Sequence, residues 1–138
     1  MQVSGTIRTI LRGYVSPRKN ERSPGVVELV FNCADPLMIR VICPGQEPGE
    51  WEFARSLLDD GLTRPTGAGR VRIRPNLFTP IPMVRLRFAL PAGGACLVEV
   101  PADEVAEFLY WTHRFVPRPG TKCSGSVSPT GELVREAG

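Results

Sequence analysis

Residues 50–75, EWEFARSLLDDGLTRPTGAGRVRIRP, constrain the fold more than any other part of this chain. Trp51, Glu52 and Phe53 alternate apolar and acidic, the period of two that suits a half-buried strand. Ala54, Leu57 and Leu58 then fall at helical spacing, giving a short amphipathic helix that stops at Gly61. A glycine there can adopt the positive φ that closes a helix, and Gly67 and Gly69 bring the same freedom to the Pro/Gly loop at 64–69. Beyond the loop, Arg70, Arg72 and Arg74 alternate with Val71 and Ile73 as a strand. No Ser, His or Cys in this segment is placed as a nucleophile with its base, so it reads as architecture rather than chemistry.

The flanking patterns supply the other elements. Residues 3–12 alternate with period two and predict a strand; 14–25 hold Pro17, Pro24, Gly25, Arg18, Lys19, Glu21 and Arg22 and predict a solvated basic loop. Apolar runs at 26–31 and 37–42 flank Asn32-Cys33-Ala34-Asp35-Pro36, a hairpin whose proline belongs in the turn because it cannot donate to a ladder. A second turn covers 44–49. Pro75, Pro80 and Pro82 make 76–82 a loop unable to pair regularly. Residues 83–90 set Val84, Leu86, Phe88 and Leu90 against Met83, Arg85, Arg87 and Ala89, and 95–100 return as another strand after the turn at 91–94. The main helix is predicted over 103–116, with Asp103 and Glu104 at the positive end of its dipole and Val105, Phe108, Leu109, Thr112 and Val116 as its apolar stripe. The order of four strands and a helix, then three strands and a helix, is that of an α+β fold with an antiparallel sheet. Residues 117–138, rich in Pro, Gly, Ser and Thr, are expected to form a poorly ordered tail.

At 138 residues the chain has the length of one domain, and its 42% apolar content is enough for an ordinary core. It holds no apolar run long enough to span a bilayer and does not open with a signal peptide, so a cytoplasmic location without membrane insertion is expected. Cys33, Cys43, Cys96 and Cys123 form no CxxC pair, and one histidine is available to help them; no metal or cofactor is expected, and the first three read as reduced core thiols. His113 lies beside the apolar stripe of its helix with no nucleophile at a partner spacing. The pairs Asp59-Asp60 and Glu50/Glu52 read as solvated faces, and Gly67-Ala68-Gly69 follows a helix and precedes a strand, the reverse of a phosphate loop. No catalytic set is apparent.

Two surface features remain. Arg70, Arg72 and Arg74 share one face of their strand, and Arg85 and Arg87 share one face of the next; if these strands pair, five guanidinium groups converge. Such a face is solvated, or meets an acidic protein segment, or meets nucleic acid; the last is disfavoured for want of interleaved aromatics. The second feature is Tyr110 and Trp111: Trp111 falls on the flank of the main helix's apolar stripe and Tyr110 points away from it, and the pair suits an interface or burial equally.

The central segment also carries a family resemblance. Trp51, Phe53, Ala54, Arg55, Leu57, Leu58, Gly61, Leu62, Pro65, Gly67 and Gly69 closely resemble the signature of the SsgA-like proteins, sporulation and cell-division regulators of filamentous actinobacteria. The turn at Ala34-Asp35-Pro36 and the run through Pro101, Phe108, Leu109, Thr112, Pro117 and Gly120 are similar to the same family, so the resemblance spans 1–121 as one domain, with 122–138 as a tail. It implies a fold similar to single-strand nucleic-acid binders of the Whirly type and a homo-oligomer, a trimer being the expected size. It further implies a non-enzymatic role in septation, with divisome proteins (FtsZ or its recruiters) and paralogous SsgA-like proteins as partners at the division septum. The chain departs from the family pattern at Tyr110 and Trp111, at Arg70, where an acidic residue is usual, and in the longer basic segment 14–25. The partner-binding residues expected on this reading are Arg70, Arg72, Arg74, Arg85, Arg87, Tyr110 and Trp111, with single-stranded nucleic acid as the alternative ligand.

Overall fold

The computed structural model describes residues 5–18 and 21–117. Its elements run β1 (Thr6–Ser16), β2 (Ser23–Asn32), β3 (Met38–Ile42), β4 (Glu50–Ala54), α1 (Arg55–Gly61), β5 (Thr66–Ala68), β6 (Val71–Asn76), β7 (Met83–Ala89), β8 (Ala95–Pro101) and α2 (Ala102–Phe115). The strands form one sheet in the order β4-β3-β2-β1-β8-β7-β6-β5, every pairing antiparallel. The expected α+β class with an antiparallel sheet and two helices is what the chain adopts. The expected tail lies outside the described residues apart from Pro117.

The sheet is two four-stranded meanders joined by a narrow seam. Strand β1 pairs with β2 from Thr6 to Val15, but with β8 only through Tyr14, Val15 and Ser16. Gly13 sits where the seam opens, and a Cβ there would overlap the Glu99 carbonyl oxygen. Only a residue without a side chain lets β1 cross so close to β8. The seam also shows why 14–25 is not one solvated loop. Tyr14 to Ser16 are held in the sheet by β8, a partner far along the chain, and Ser23 to Gly25 by β1. Long-range pairing overrides the loop-like composition.

Alternation sends Leu11, Val27, Leu29, Phe31, Ile39 and Val41 to one side of the first meander and Ile73, Val84, Leu86, Phe88 and Val98 to the same side of the second. The sheet curls over this core so far that Trp51 of β4 stacks on Phe88 of β7, with ring centroids 4.5 Å apart and planes 6° from parallel. Those strands are five places apart in the sheet order. The helix α2 closes the core with Val105, Phe108, Leu109 and Thr112, the stripe seen in the sequence, less the partly buried Val116. Cys33, Cys43 and Cys96 are free and buried, and burial raises all three thiols, Cys43 to about 12 with Cys96 nearby adding to the effect.

Three local expectations change. Gly61 lies within α1 and has no positive φ; the helix is capped by Leu62 in a right-handed conformation. What the position needs is smallness, since a Cβ at Gly61 would run into the Ile73 side chain. Residues 66–68 of the predicted loop form β5, whose turn into β6 uses Gly67 and Gly69 at φ 89° and 71°. Finally, Pro75 and Asn76 belong to β6, opposite Val84 and Met83.

Candidate functional site

The family-like Arg55 is structural. It opens α1, is 3% exposed, and donates to the Val116 carbonyl at 2.8 Å, the Pro117 carbonyl at 3.4 Å and Thr112 Oγ1 at 3.4 Å. A buried guanidinium thereby satisfies carbonyls that the end of α2 leaves unpaired. His113 lies near the same helix end and meets Asp59 Oδ2 at 2.8 Å, clasping α2 to α1. Among the described residues no group of three or more His, Cys, Asp or Glu is arranged to hold a metal ion, and no helix is long and apolar enough to cross a membrane.

The outward face of the second meander is where charge gathers. Register places Arg72 opposite Arg87, and Arg87 opposite Leu97; one rung along, Arg74 faces Arg85, Arg85 faces Glu99, and Glu99 faces Tyr14. Two rows thus cross the sheet. Arg72, Arg74, Arg85, Arg87 and Leu97, with Pro65, Thr66 and Gly67, line an open cleft of about 500 Å³. A second recess shares Arg87 and Leu97 and adds Arg18. Arg70 stands in the turn before β6 and does not line the cleft, so four of the five expected arginines converge.

The two rows differ in how their charge is balanced. Glu99, 5% exposed, accepts from Arg85 Nε at 3.1 Å, Arg22 at 3.2 Å and Asn76 Nδ2 at 2.6 Å. Arg22 also lies over the Tyr14 ring, 3.6 Å from its centroid. Burial opposes the charge of Glu99, but the hydrogen bonds from Asn76 and Arg22 and the charge of Arg85 outweigh it, leaving the carboxyl below its usual value. Because the folded carboxyl is the stronger acid, ionisation of Glu99 stabilises the fold above the ordinary glutamate pKa of 4.5, and that contribution fades as pH falls below it. Glu99→Gln is expected to cost about 2 kcal/mol at neutral pH and to flatten the acid limb of a stability–pH curve. An unchanged acid limb in urea titrations would count against this role.

The Arg72/Arg87 row has no such carboxylate. Both side chains are exposed, and neither makes an ion pair among the described residues. Like charges directly opposite on paired strands are destabilising. Arg87→Glu, which sets a carboxylate across from Arg72, is therefore expected to raise stability by about 0.5 kcal/mol. A fall in Tm on thermal unfolding would contradict that.

Tyr110 and Trp111 are exposed on α2 and meet edge to face, with ring centroids 5.2 Å apart. Trp111 borders a recess of about 200 Å³ with Ile7, Arg8, Thr9, Glu104 and Glu107, beside the part of β1 that β8 leaves unpaired. This recess shares no lining residue with the arginine cleft, so the two expected patches are separate surfaces. Sequence reading missed Glu99, Asn76 and Arg22. The signal for Glu99 is an acid between Val98 and Val100, on the strand face that meets Arg85.

Comparison with known proteins places this architecture. The profile of a family described as Streptomyces sporulation and cell division protein, SsgA, matches residues 26–120. The chain belongs to the SsgA family. It is 40% identical over 96 residues to the sporulation-specific cell division protein SsgB of Streptomyces coelicolor, covering 68% of this chain and 69% of that one. A Frankia casuarinae sporulation-specific cell division protein is 36% identical over 100 residues, covering 72% and 67%. Two solved structures share the fold. One comes from work on SsgB mutations that correlate to longitudinal cell division in S. coelicolor sporulation (TM-score 0.75, 32% identity, 88% of this chain and 95% of that one). The other is an SsgA-like sporulation-specific cell division protein from Thermobifida fusca (0.73, 30%, 84% and 85%). In this SsgA-family chain Trp51, Phe53, Arg55 and Leu58 of the motif supply core and helix-end contacts, whereas Pro65 and Gly67 border the arginine cleft.

Proposed function

We propose that this SsgA-family protein is a non-enzymatic adaptor of sporulation-specific cell division, working by contact between its arginine cleft and an acidic segment of a division protein. The observation that supports this most is the opposition of Arg72 and Arg87 across β6 and β7 with no carboxylate to balance them among the described residues. Sequence-determined repulsion on an exposed face is relieved when a partner brings the missing anions. By its relatives' names the process is division during sporulation. The partners of this reading are FtsZ or its recruiters and paralogous SsgA-like proteins, met by a homo-oligomer at the septum, with Tyr110 and Trp111 as a second contact surface.

Single-stranded nucleic acid is the weaker reading. Tyr14 is the ring these rows carry, and the Arg22 guanidinium already covers it, which removes a stacking platform for bases. The test is retention of purified FtsZ and of paralogous SsgA-like proteins by immobilised wild type and by Arg72→Glu/Arg87→Glu. The reading predicts at least about a tenfold loss with the double variant, equivalent to 1.4 kcal/mol, and weaker binding by wild type as salt is raised. Equal retention of every partner by both proteins would refute it.

A further inference from the structure

Residues 77–82 join β6 to β7 and present Leu77, Phe78 and Ile81 to solvent, exposed by 70%, 100% and 54%. One exposed apolar residue needs no explanation, but three bulky ones within five residues of one tip call for one. The tip is also tied in place. Phe78 N donates to Asn76 Oδ1 at 3.1 Å, Thr79 Oγ1 donates to the Ile81 carbonyl at 2.6 Å, and Asn76 Nδ2 reaches Glu99 at 2.6 Å. Pro80 and Pro82 restrict the backbone further. The carboxylate that anchors Arg85 and Arg22 therefore also fixes the base of an apolar tip.

Residues 75–84 contain no charged side chain, and the first charges on either side are Arg74 and Arg85, which face each other across the two strands. Arg72 and Arg87 follow one rung further back, about 7 Å along the strands. The arrangement is an apolar end with arginines behind it on one face of the sheet. Phe78 borders neither recess on this face.

We propose that this tip docks on the surface of an anionic lipid bilayer, with Leu77, Phe78 and Ile81 at the headgroup–acyl boundary and the exposed Arg74, with Arg72 and Arg87 behind it, against lipid phosphates. A bilayer presents negative charge outside and apolar material just beneath, in the order in which the arginines and the tip would meet it. No spanning segment is required, because the tip enters only the interface. This departs from the expectation of no membrane insertion, which rests on hydropathy and so detects spans and not tips.

Sedimentation of the full-length protein with vesicles tests it, using equal parts phosphatidylglycerol and phosphatidylcholine beside phosphatidylcholine alone. Wild type is expected to sediment with the anionic vesicles and to lose that binding on the neutral ones. Leu77→Ser/Phe78→Ser should weaken binding at least about tenfold, since burial of two large apolar side chains is removed, while its Tm and its retention of protein partners stay at wild-type values. Phe78→Trp should show blue-shifted emission on anionic vesicles. Failure of wild type to sediment, equal binding by the serine variant, or loss of protein partners by that variant without any lipid binding would each overturn the proposal.

Discussion

Phe88→Ala is expected to lower stability by about 4 kcal/mol, because large aromatic-to-alanine changes in a well-packed core cost about 3–5 kcal/mol. Phe88 has no exposed surface, stacks on Trp51 at 4.5 Å, and meets Phe53 at 6.0 Å with a 40° tilt. The change does more than leave a void. Trp51 and Phe53 belong to β4 at one end of the sheet, while Phe88 belongs to β7 near the other, so this trio holds the curl closed. The loss exceeds that of a typical core site if the curl opens, and falls short of it if Trp51 moves into the space. Urea unfolding followed by circular dichroism reads the change without relying on tryptophan emission, which the substitution itself alters. A loss below about 1 kcal/mol, the size of an ordinary surface or mild core change, would show that the stack is incidental.

Arg55→Met is expected to cost about 3 kcal/mol. Methionine can keep much of the apolar stem, so packing is largely preserved. The change removes the donor that reaches Val116 and Pro117 carbonyls and Thr112 Oγ1. Hydrogen bonds from a charged donor contribute about 1.5–3 kcal/mol, and buried acceptors left unsatisfied add their own desolvation penalty. The position of Arg55 over the Phe31 ring, 5.1 Å from its centroid, adds a smaller attraction. Arg55→Lys should recover only part of the loss, since an ammonium cannot fan out over several carbonyls as the guanidinium does. Denaturant midpoints for the three proteins, wild type above Lys above Met, check the order; a methionine variant as stable as wild type would remove Arg55 from the helix-end role.

Much of the fold is written locally. The alternation of Val84, Leu86 and Phe88 with Arg85 and Arg87 gives both the strand and its faces, and the spacing of Val105, Phe108, Leu109 and Thr112 gives the buried side of α2. What escaped local reading depends on distant partners. Tyr14 and Ser16 look like loop residues until β8 is placed beside them, and the three residues of β5 count as a strand only because β6 folds back on them. Gly61 illustrates a different limit: composition marks the need for glycine, and only packing against Ile73 tells whether the need is for a dihedral angle or for space. In the candidate site, the strand period supplied the arginine face. Register then shows that the two arginine rows differ, Arg85 of one being paired with Glu99 while neither arginine of the other has a carboxylate partner among the described residues, and leaves Arg70 outside the cleft. The isolation of the Tyr110/Trp111 pair from that cleft is likewise a matter of how α2 crosses the sheet, which no spacing along the helix encodes.

The central claim is that exposed, unbalanced arginines perform the task while the motif residues hold the core. Septum counting during sporulation of a strain lacking this gene tests it most directly, with wild type, Arg72→Glu/Arg87→Glu and an Arg72→Lys/Arg87→Lys control restored in turn. The account predicts normal septation with wild type, substantial recovery with the lysine control, and few or misplaced septa with the glutamate variant despite an undiminished Tm. Full septation by the stably folded glutamate variant would contradict it.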